Sequence, residues 1–404
     1  MAKALLDQPL DIVAKGRRPI DFPCDESEIV TSGVVVDDRE LFNRIVADIR
    51  DEYLFDGQAF PWIIGFSGGK DSTLVAHAVF AALLDISPSR QTRPVHVVAN
   101  DTLVESPLVV SHLHQSLQEI REAAKTLKLP VTVATTTPDQ ENTFWVLLIG
   151  KGYPSPNSQM RWCTDRLKIQ PTSRYIREQV TTCGSAIILL GVRRDESETR
   201  KKRIDSYSNN TGSRLHPHKD LAGAYIYRPI VDLTTDAVWG ILAANPPPWG
   251  GTHDRLIKLY RDAAGGECPI VLSQEEAPGC GTNSSRFGCW TCTVVEKDKS
   301  LQGFVNSGKQ QYAPLIAFRD WLREIRNDRS LRQGKRRSGK ITIAANGKLI
   351  PGPFTLKARQ IILDRLLETQ REYGDILISD KEIETIQRIW ATDLISMNTQ
   401  GDAA

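Results

Sequence analysis

The sequence predicts an α/β protein built on a parallel sheet that carries helices on both faces. Short apolar runs of strand length alternate with longer amphipathic segments through residues 58–245. The first apolar run leads into a glycine-rich turn, and a helical pattern starts directly after it. This alternation is typical of parallel sheets, because consecutive parallel strands are joined by helical crossovers. Beyond residue 300 the pattern is helical throughout, which predicts a helical C-terminal region.

Each predicted element follows from its apolar pattern. Continuous apolar runs indicate strands that are buried on both faces of the sheet. They lie at residues 62–66, 95–99, 131–134 and 186–191. Helical periodicity predicts helices at residues 38–53, 73–83, 106–128, 171–180, 313–325, 355–372 and 380–395.

Three consecutive prolines at residues 246–248 end the alternation, because proline cannot continue a helix. We therefore predict four parts of the chain. They are an N-terminal lead-in and helix (1–57), the α/β domain (58–245), a cysteine-rich segment (246–305) and a helical basic region (306–404).

The composition is that of an ordinary globular protein, with 404 residues, a net charge of +2 and 40% hydrophobic residues. No apolar stretch approaches membrane-spanning length. Residues 1–9 lack the apolar core of a secretory signal. We therefore expect a cytoplasmic protein without a membrane partner.

The first strand runs into a glycine loop that suits a bound anion. Glycines let the backbone approach a ligand, and the N–H groups of a helix start point at phosphate oxygens. Lys70 adds positive charge, and Asp71 after it distinguishes the loop from a Walker A loop. The alternative is a plain turn between strand and helix. The glycine loop consists of Ser67, Gly68, Gly69, Lys70, Asp71 and Ser72.

A second strand end carries Gly191 and three arginines, which can pair with phosphate groups. These arginines are Arg193, Arg194 and Arg200. Upstream, one cysteine lies among cations that would lower its thiol pKa and raise its nucleophilicity. The cysteine is Cys163, and the cations are Arg161, Arg166 and Lys168. A buried structural cysteine is the alternative.

Four further cysteines lie close together in the sequence and predict a metal centre, because clustered cysteines in a cytoplasmic chain seldom form disulfides. Four thiolates suit zinc or an iron–sulfur cluster. A single C-x-x-C pair favours iron–sulfur, since zinc sites usually contain two such pairs. The cysteines are Cys268, Cys280, Cys289 and Cys292.

Positive charge is concentrated in residues 319–359, which contain 12 Lys or Arg against 3 Asp or Glu. A local excess of this kind favours a polyanion such as nucleic acid. A solvated helix face with a basic surface loop is the alternative.

Together these motifs resemble the 3′-phosphoadenylylsulfate reductase family of ATP pyrophosphatases, over about residues 58–245. The family has the same glycine loop, an Arg-Trp-Cys segment ahead of a lysine and a proline, and a G-x-R-x-x-E-S motif with a trailing arginine. Here these are Arg161-Trp162-Cys163 ahead of Lys168 and Pro171, and residues 191–197 with Arg200; residues 227–239 are similar to the next family segment.

The run from Arg286 to Ser300 extends the resemblance to the DndC type of bacterial DNA phosphorothioation protein, over about residues 58–305. This resemblance implies a sulfurtransferase that splits ATP into AMP and pyrophosphate and holds a 4Fe–4S cluster. It also implies Mg²⁺, DNA, a cysteine desulfurase as sulfur donor, and other phosphorothioation proteins as partners. The SspD type of single-strand phosphorothioation shares this core and stays open.

The resemblance also implies roles for individual residues. Lys70, Asp71 and Cys163 would be catalytic, with Cys163 as sulfur carrier. ATP would be bound by the glycine loop with Asn100, Gly191 and Arg193. The substrate side would comprise Asp101, Glu105, Arg161, Arg166, Lys168, Arg194 and Arg200.

Two other functions stay open. One is a sulfonucleotide reductase or another small-molecule sulfotransfer enzyme. Reductases of the family carry a nucleophilic cysteine in a C-terminal tail, and residues 398–404 contain none, so we expect no reduction by that route. The other is a nucleotide-binding regulatory or DNA-binding subunit whose metal cluster is structural.

Overall fold

The computed structural model describes residues 37–55, 59–208, 214–263 and 287–401. The predicted lead-in before residue 37 and two of the predicted metal ligands, Cys268 and Cys280, lie outside these residues. The division of the chain into four parts therefore stays a prediction.

A six-stranded, mostly parallel sheet forms the centre of the fold, as predicted. Its strand order is β3-β2-β1-β4-β6-β5, and only the pairing of β5 with β6 is antiparallel. The last two strands were not predicted, because each has only three or four residues and β5 contains a histidine and a proline. The strands are β1 Trp62–Gly65, β2 Val95–Asn100, β3 Val131–Thr136, β4 Ala186–Leu189, β5 Leu215–Pro217 and β6 Ala224–Tyr227.

Helices lie on both faces of the sheet, and the seven predicted helices are present. Those of the α/β part are α1 Asp38–Leu54, α2 Lys70–Leu84, α3 Pro107–Thr126, α4 Gln170–Cys183, α5 Glu198–Ser208, α6 Thr235–Ala244 and α7 Asp254–Ala263. The C-terminal region contains α8 Lys299–Asn306, α9 Ala313–Ile325, α10 Leu356–Tyr373 and α11 Asp380–Gly401, with a hairpin of β7 Thr342–Ile343 and β8 Leu349–Ile350. Helices α5, α6, α7 and α8 were not predicted.

Alternate residues of β1 show how both faces are covered. Trp62 and Ile64 pack into one apolar core with helices α1, α2, α3 and α6. Ile63 points to the opposite face, into a second core that includes Ile176 of α4. Because side chains alternate along a strand, a strand that is apolar throughout can fill two cores at once.

A third apolar core joins the C-terminal helices to the segments that carry cysteines. Trp145, Phe304, Phe318 and Ile362 are among its buried members, and Cys163 and Cys289 pack against it. No helix in the described part of the chain is both long and apolar enough to cross a membrane.

Candidate functional site

The glycine loop lies where the strand order reverses. From β1 the chain proceeds outward to β2 and β3, and then returns to place β4 on the other side of β1. Loops after β1 and β4 therefore diverge and leave a crevice at the carboxyl edge of the sheet. In open α/β sheets, ligands bind in this crevice.

The loop is held in a fixed shape by its own serines. Gly68 has a φ of +74°, which a residue with a side chain adopts only with strain. The backbone N–H of Ser67 donates to the hydroxyl of Ser72 at 3.2 Å, and the two hydroxyl oxygens lie 3.0 Å apart. Gly69 precedes α2 without a side-chain cap, so the start of the helix presents backbone N–H groups.

Asp71 is buried and anchors the loop to the strand end after β4. Its Oδ1 accepts from Arg193 Nε at 2.5 Å, and its Oδ2 lies 2.7 Å from Lys70 Nζ. Arg193 is 1% exposed and also donates to the Leu233 carbonyl and the Thr235 hydroxyl. Both carboxylate oxygens of Asp71 are therefore engaged within the protein. Asp71 and Arg193 act here as positioning residues.

Gly191 has a packing reason to be glycine. A Cβ atom at this position would lie 2.7 Å from the backbone carbon of Asp71 and 2.9 Å from the nitrogen of Ser72. The start of α2 thus rests directly on the strand end, and a side chain would push the glycine loop away from it.

A histidine and an arginine that the sequence did not indicate support the loop from behind. His112 Nε2 lies 2.9 Å from the Gly68 carbonyl, and Arg255 Nε donates to His112 Nδ1 at 3.2 Å. An arginine cannot accept a hydrogen bond, so Nδ1 is the acceptor and the ring proton is on Nε2. Burial and the charge of Arg255 lower the pKa of His112 to about 4. At neutral pH the neutral ring therefore donates to the loop carbonyl.

Tyr260 on α7 also contacts the loop, again without a sequence signal. The Lys70 backbone N–H donates to its hydroxyl at 3.3 Å, and the Lys70 ammonium lies 5.8 Å from the centre of its ring. The ring stacks edge-on against Phe287, which belongs to the third apolar core. Tyr260 therefore connects the glycine loop to the cysteine-bearing part of the molecule.

The end of β2 supplies polar groups to the same edge. Asn100 is buried and donates to Thr136 Oγ1 at 3.1 Å, while its Oδ1 atom has no hydrogen-bond partner among the described residues. An unpaired buried acceptor suits a ligand donor such as an adenine amine. Burial raises the pKa of the neighbouring Asp101, although a hydrogen bond from the Leu103 N–H opposes the shift.

Glu105 links this edge to the C-x-x-C pair. Its backbone forms an antiparallel bridge with Cys289, and its carboxylate lies 3.3 Å from Lys168 Nζ. Thr102 donates to the same carboxylate at 3.0 Å and lies 3.4 Å from the Cys289 sulfur. Glu105 and Lys168 thus pair with each other, one strand end away from the glycine loop.

Cys163 differs from its prediction. Burial, with a smaller contribution from Cys292, raises the pKa of its thiol to about 12, because the opposing effects of Arg161 and Lys168 are smaller. The prediction of a thiol with a lowered pKa is wrong, because the cations do not outweigh burial. The same interaction shows that Cys163 lies near Cys292.

The segments around these cysteines are firmly packed together. Thr293 Oγ1 donates to the Pro156 carbonyl at 2.7 Å, and Arg326 donates to the carbonyls of both Pro156 and Thr293. We call Cys163, Cys289 and Cys292 with these segments the thiol region. Within the described residues no group of three or more His, Cys, Asp or Glu side chains could hold a metal ion.

Comparison with known protein families assigns the chain to a family. The family model described as "Phosphoadenosine phosphosulfate reductase domain" matches residues 61–295, more than half of the chain. The chain belongs to this reductase-domain family. The match confirms the family that the sequence motifs predict.

Individual relatives of the reductase domain are distant. An uncharacterized protein of Methanocaldococcus jannaschii is 21% identical over 277 residues, which cover 68% of this chain and 44% of that protein. The chain thus spans less than half the length of this curated relative. Among solved structures, a phosphoadenylyl-sulfate reductase from Candida auris is 13% identical, covering 52% of this chain and 85% of that chain, with a TM-score of 0.32. An NH3-dependent NAD synthetase from Campylobacter jejuni is 12% identical, with a TM-score of 0.34. The match covers 72% of this chain and 97% of that chain.

Most of the arginines predicted for the substrate side of this reductase domain bind protein carboxylates. Arg194 contacts Asp205 at 2.9 Å and also pairs with Asp232, and Arg200 pairs with Glu196. Arg166 lies 3.5 Å from Asp165 and is partly exposed, and Arg161 immediately precedes the short helix that bears Cys163. Their roles toward a substrate stay predictions.

Proposed function

We propose that this protein is an ATP-dependent sulfurtransferase of DNA phosphorothioation. It would activate a backbone phosphate by adenylation and exchange a non-bridging oxygen for sulfur. One observation carries the proposal: the thiol region is joined through Glu105 and Cys289 to the sheet edge that holds the glycine loop. Nucleotide activation and sulfur chemistry would thus take place side by side.

The first step is adenylation. A DNA phosphate oxygen attacks the α-phosphorus of ATP, a P–O bond forms to AMP, and the bond to pyrophosphate breaks. Catalysis of this step needs mainly positioning and charge neutralisation. Backbone N–H groups of the glycine loop, Lys70 and the two loop serines would hold the pyrophosphate. Asp71 would set the position of the Lys70 ammonium, which lies 2.7 Å away.

The second step introduces sulfur. The terminal sulfur of a persulfide attacks the activated phosphorus and AMP leaves, which gives a phosphorus–sulfur–sulfur linkage. A second thiol then attacks the inner sulfur, which releases the phosphorothioate and leaves a disulfide. Cellular thiols would reduce this disulfide. A cysteine desulfurase would supply the persulfide sulfur, and Cys163 is the proposed carrier.

A second assignment for Cys163 is that of a cluster ligand, because it lies near Cys292. Thiolate sulfur is the ligand of iron–sulfur clusters, and the mostly apolar surroundings of the thiol region suit such a cluster. Four of five cysteines would be its ligands: Cys163, Cys268, Cys280, Cys289 and Cys292. When bound, a 4Fe–4S cluster would supply a sulfur-binding or redox centre. Mg²⁺ finds no free oxygen on Asp71, so we assign it no ligand there.

Anaerobic purification with an absorption spectrum and with iron and sulfide analysis tests the cluster. Pyrophosphate release is then measured with ATP alone, with duplex DNA, and with DNA, cysteine and a cysteine desulfurase. We expect phosphorothioate dinucleotides in a nuclease digest of the complete reaction. Pyrophosphate release without sulfur in DNA, together with sulfite release from phosphoadenylylsulfate, would favour the reductase. If the protein binds nucleotide but shows neither activity, a regulatory or DNA-binding subunit is favoured.

A further inference from the structure

Cations in the C-terminal region divide into an interior and an exposed set. Residues 329–363 contain nine Lys or Arg and no Asp or Glu. Arg359 is 1% exposed and lies 2.9 Å from Asp393. Arg332 donates to the carbonyls of Arg326 and Gly352, and burial lowers its pKa to about 10. These arginines are part of the scaffold and cannot reach a partner molecule.

The exposed set is concentrated on one hairpin. Lys335, Lys340 and Lys348 are exposed, and none of them has an ion pair among the residues that the structure describes. Asp393, which pairs with Arg337 of this segment at 2.7 Å, is also held by Arg359. We call residues 335–350 the basic hairpin.

The basic hairpin also exposes apolar side chains. Ile341 is 60% and Ile343 is 64% exposed, although Ile343 belongs to a strand. The hairpin pairs only Thr342 with Ile350 and Ile343 with Leu349, so it buries little surface of its own. Neighbouring exposed isoleucines surrounded by unpaired lysines require a partner that is both anionic and partly apolar.

The base of the hairpin is firmly attached to the protein. Gln333 donates to the Pro353 carbonyl at 2.8 Å, and Gly352 donates to the Gln333 carbonyl at 2.6 Å. The Arg337–Asp393 contact fixes the first turn of the hairpin to α11. The lysines and isoleucines therefore project from a fixed support, which reduces the entropy cost of binding.

We propose that the basic hairpin binds duplex DNA, with its lysines on the phosphate backbone and its isoleucines in a groove. This inference rests on the proposed function, in which DNA is the substrate, and it adds the binding surface. Lysine contacts to phosphates supply affinity through counterion release. Apolar side chains placed in a groove contact sugars and base edges, as in proteins that bend DNA. A nucleic-acid duplex satisfies both requirements at once.

The test measures binding of a short fluorescein-labelled duplex by anisotropy over a series of salt concentrations. The triple variant Lys335→Ala, Lys340→Ala, Lys348→Ala removes three phosphate contacts. We expect weaker binding and a log–log salt slope that is smaller by roughly 2 to 3, about one per lysine. Arg121→Ala, Lys125→Ala, Lys381→Ala is the matched control, because it removes three exposed cations elsewhere.

A second variant separates the two kinds of contact. Ile341→Ser with Ile343→Ser keeps every charge, so the salt slope should stay unchanged while affinity falls several-fold. Thermal unfolding and binding of ATP check that each variant is folded. If the lysine variant binds DNA as tightly as the wild-type protein, the basic hairpin is not the DNA-binding surface, and the proposed function is unaffected. Wild-type protein that does not bind DNA would overturn both.

Discussion

The glycine loop and the thiol region are both connected to the carboxyl edge of the sheet, but the environments of their ionisable groups differ. Around the loop, the charged groups have partners: Asp71 pairs with Arg193 and Lys70, and Arg255 pairs with Glu119 at 2.9 Å. In the thiol region, burial dominates and the pKa of Cys163 is raised to about 12.

This difference shows what each region is prepared for. A loop whose donors are already fixed can accept an anion without reorganisation, which is the main requirement for phosphoryl transfer. In the thiol region, burial and the neighbouring Cys292 favour the neutral thiol of Cys163 at physiological pH. Sulfur chemistry there would need a positive partner or a bound metal to form a thiolate.

The largest effect is expected from the ion pair beneath the loop. Asp71→Ala removes the buried partner of Arg193 Nε and leaves the half-exposed Asp195, 3.3 Å from Arg193 Nη1, as its ion pair, so it should abolish pyrophosphate release and lower the free energy of unfolding by about 3 kcal/mol. Lys70→Ala should abolish activity with a smaller loss of stability, because the ion pair between Asp71 and Arg193 is retained. Activity assays and urea unfolding measure the two effects.

Asp85→Ala, an exposed change at the other end of α2, is the control. In this comparison a loss of stability is expected only for the Asp71 variant, because Asp71 is buried beside Arg193. Equal stability of the Asp71 and Asp85 variants would show that the buried pair contributes nothing to the loop.

Cys163→Ser distinguishes the two regions directly. If Cys163 carries sulfur, the variant should retain iron and release pyrophosphate but put no sulfur into DNA, because the loop is untouched. If Cys163 is a cluster ligand, iron content and visible absorption should fall as well. Mass spectrometry of digested DNA, iron analysis and the pyrophosphate assay measure the three outcomes.

Cys183→Ser is the matched control, because Cys183 is exposed at the end of α4. Loss of pyrophosphate release in folded Cys163→Ser protein would place this residue in the nucleotide pocket. Phosphorothioate formation with full iron content would contradict both assignments. Stoichiometric zinc without iron in the wild-type protein would contradict the iron–sulfur proposal.

Arg255→Ala tests the support behind the loop. Without the hydrogen bond from Arg255, His112 is no longer held with its Nε2 proton toward Gly68. We expect KM for ATP to rise about tenfold with little change in kcat, as for the loss of one charged hydrogen bond of ~1.4 kcal/mol. Steady-state kinetics measure the split. Arg261→Ala, exposed on the same helix, should behave as wild type. An unchanged KM would remove Arg255 from the site.

The smallest effect concerns acid stability. Burial lowers the pKa of His77 to about 3 and that of His253 to about 4, and His253 Nε2 lies 3.3 Å from His77 Nδ1. Unfolded histidines bind protons below a pH of about 6.5, so stability should decline as pH falls from there toward the folded-state pKa values. His112 on α3, whose pKa is also lowered to about 4, adds to this decline. Hydrogen exchange at pH 5 should therefore accelerate first in α2, in α3 and at the start of α7, and uniform acceleration would contradict this.

Much of the fold could be predicted because its signals are local. Most strands and helices of the α/β part follow from apolar runs and helical periodicity, and the glycine loop is a continuous motif. Strands β5 and β6 were missed because they have three and four residues, and strands this short are stabilised by their neighbours and not by their own pattern. The supporting residues His112, Arg255 and Tyr260 were missed for a related reason. Each lies on an ordinary amphipathic helix, and only the packing of α3 and α7 brings them to the loop.

By itself the sequence determined four strands of the sheet, the glycine loop and the set of cysteines, because these depend on the order of residues along the chain. Tertiary structure decided which charges are available. It buried Arg193, Arg319 and Arg359 as scaffold, and it raised the pKa of Cys163. Charge and pKa depend on solvent exposure and on neighbours distant in sequence, and no local pattern records either.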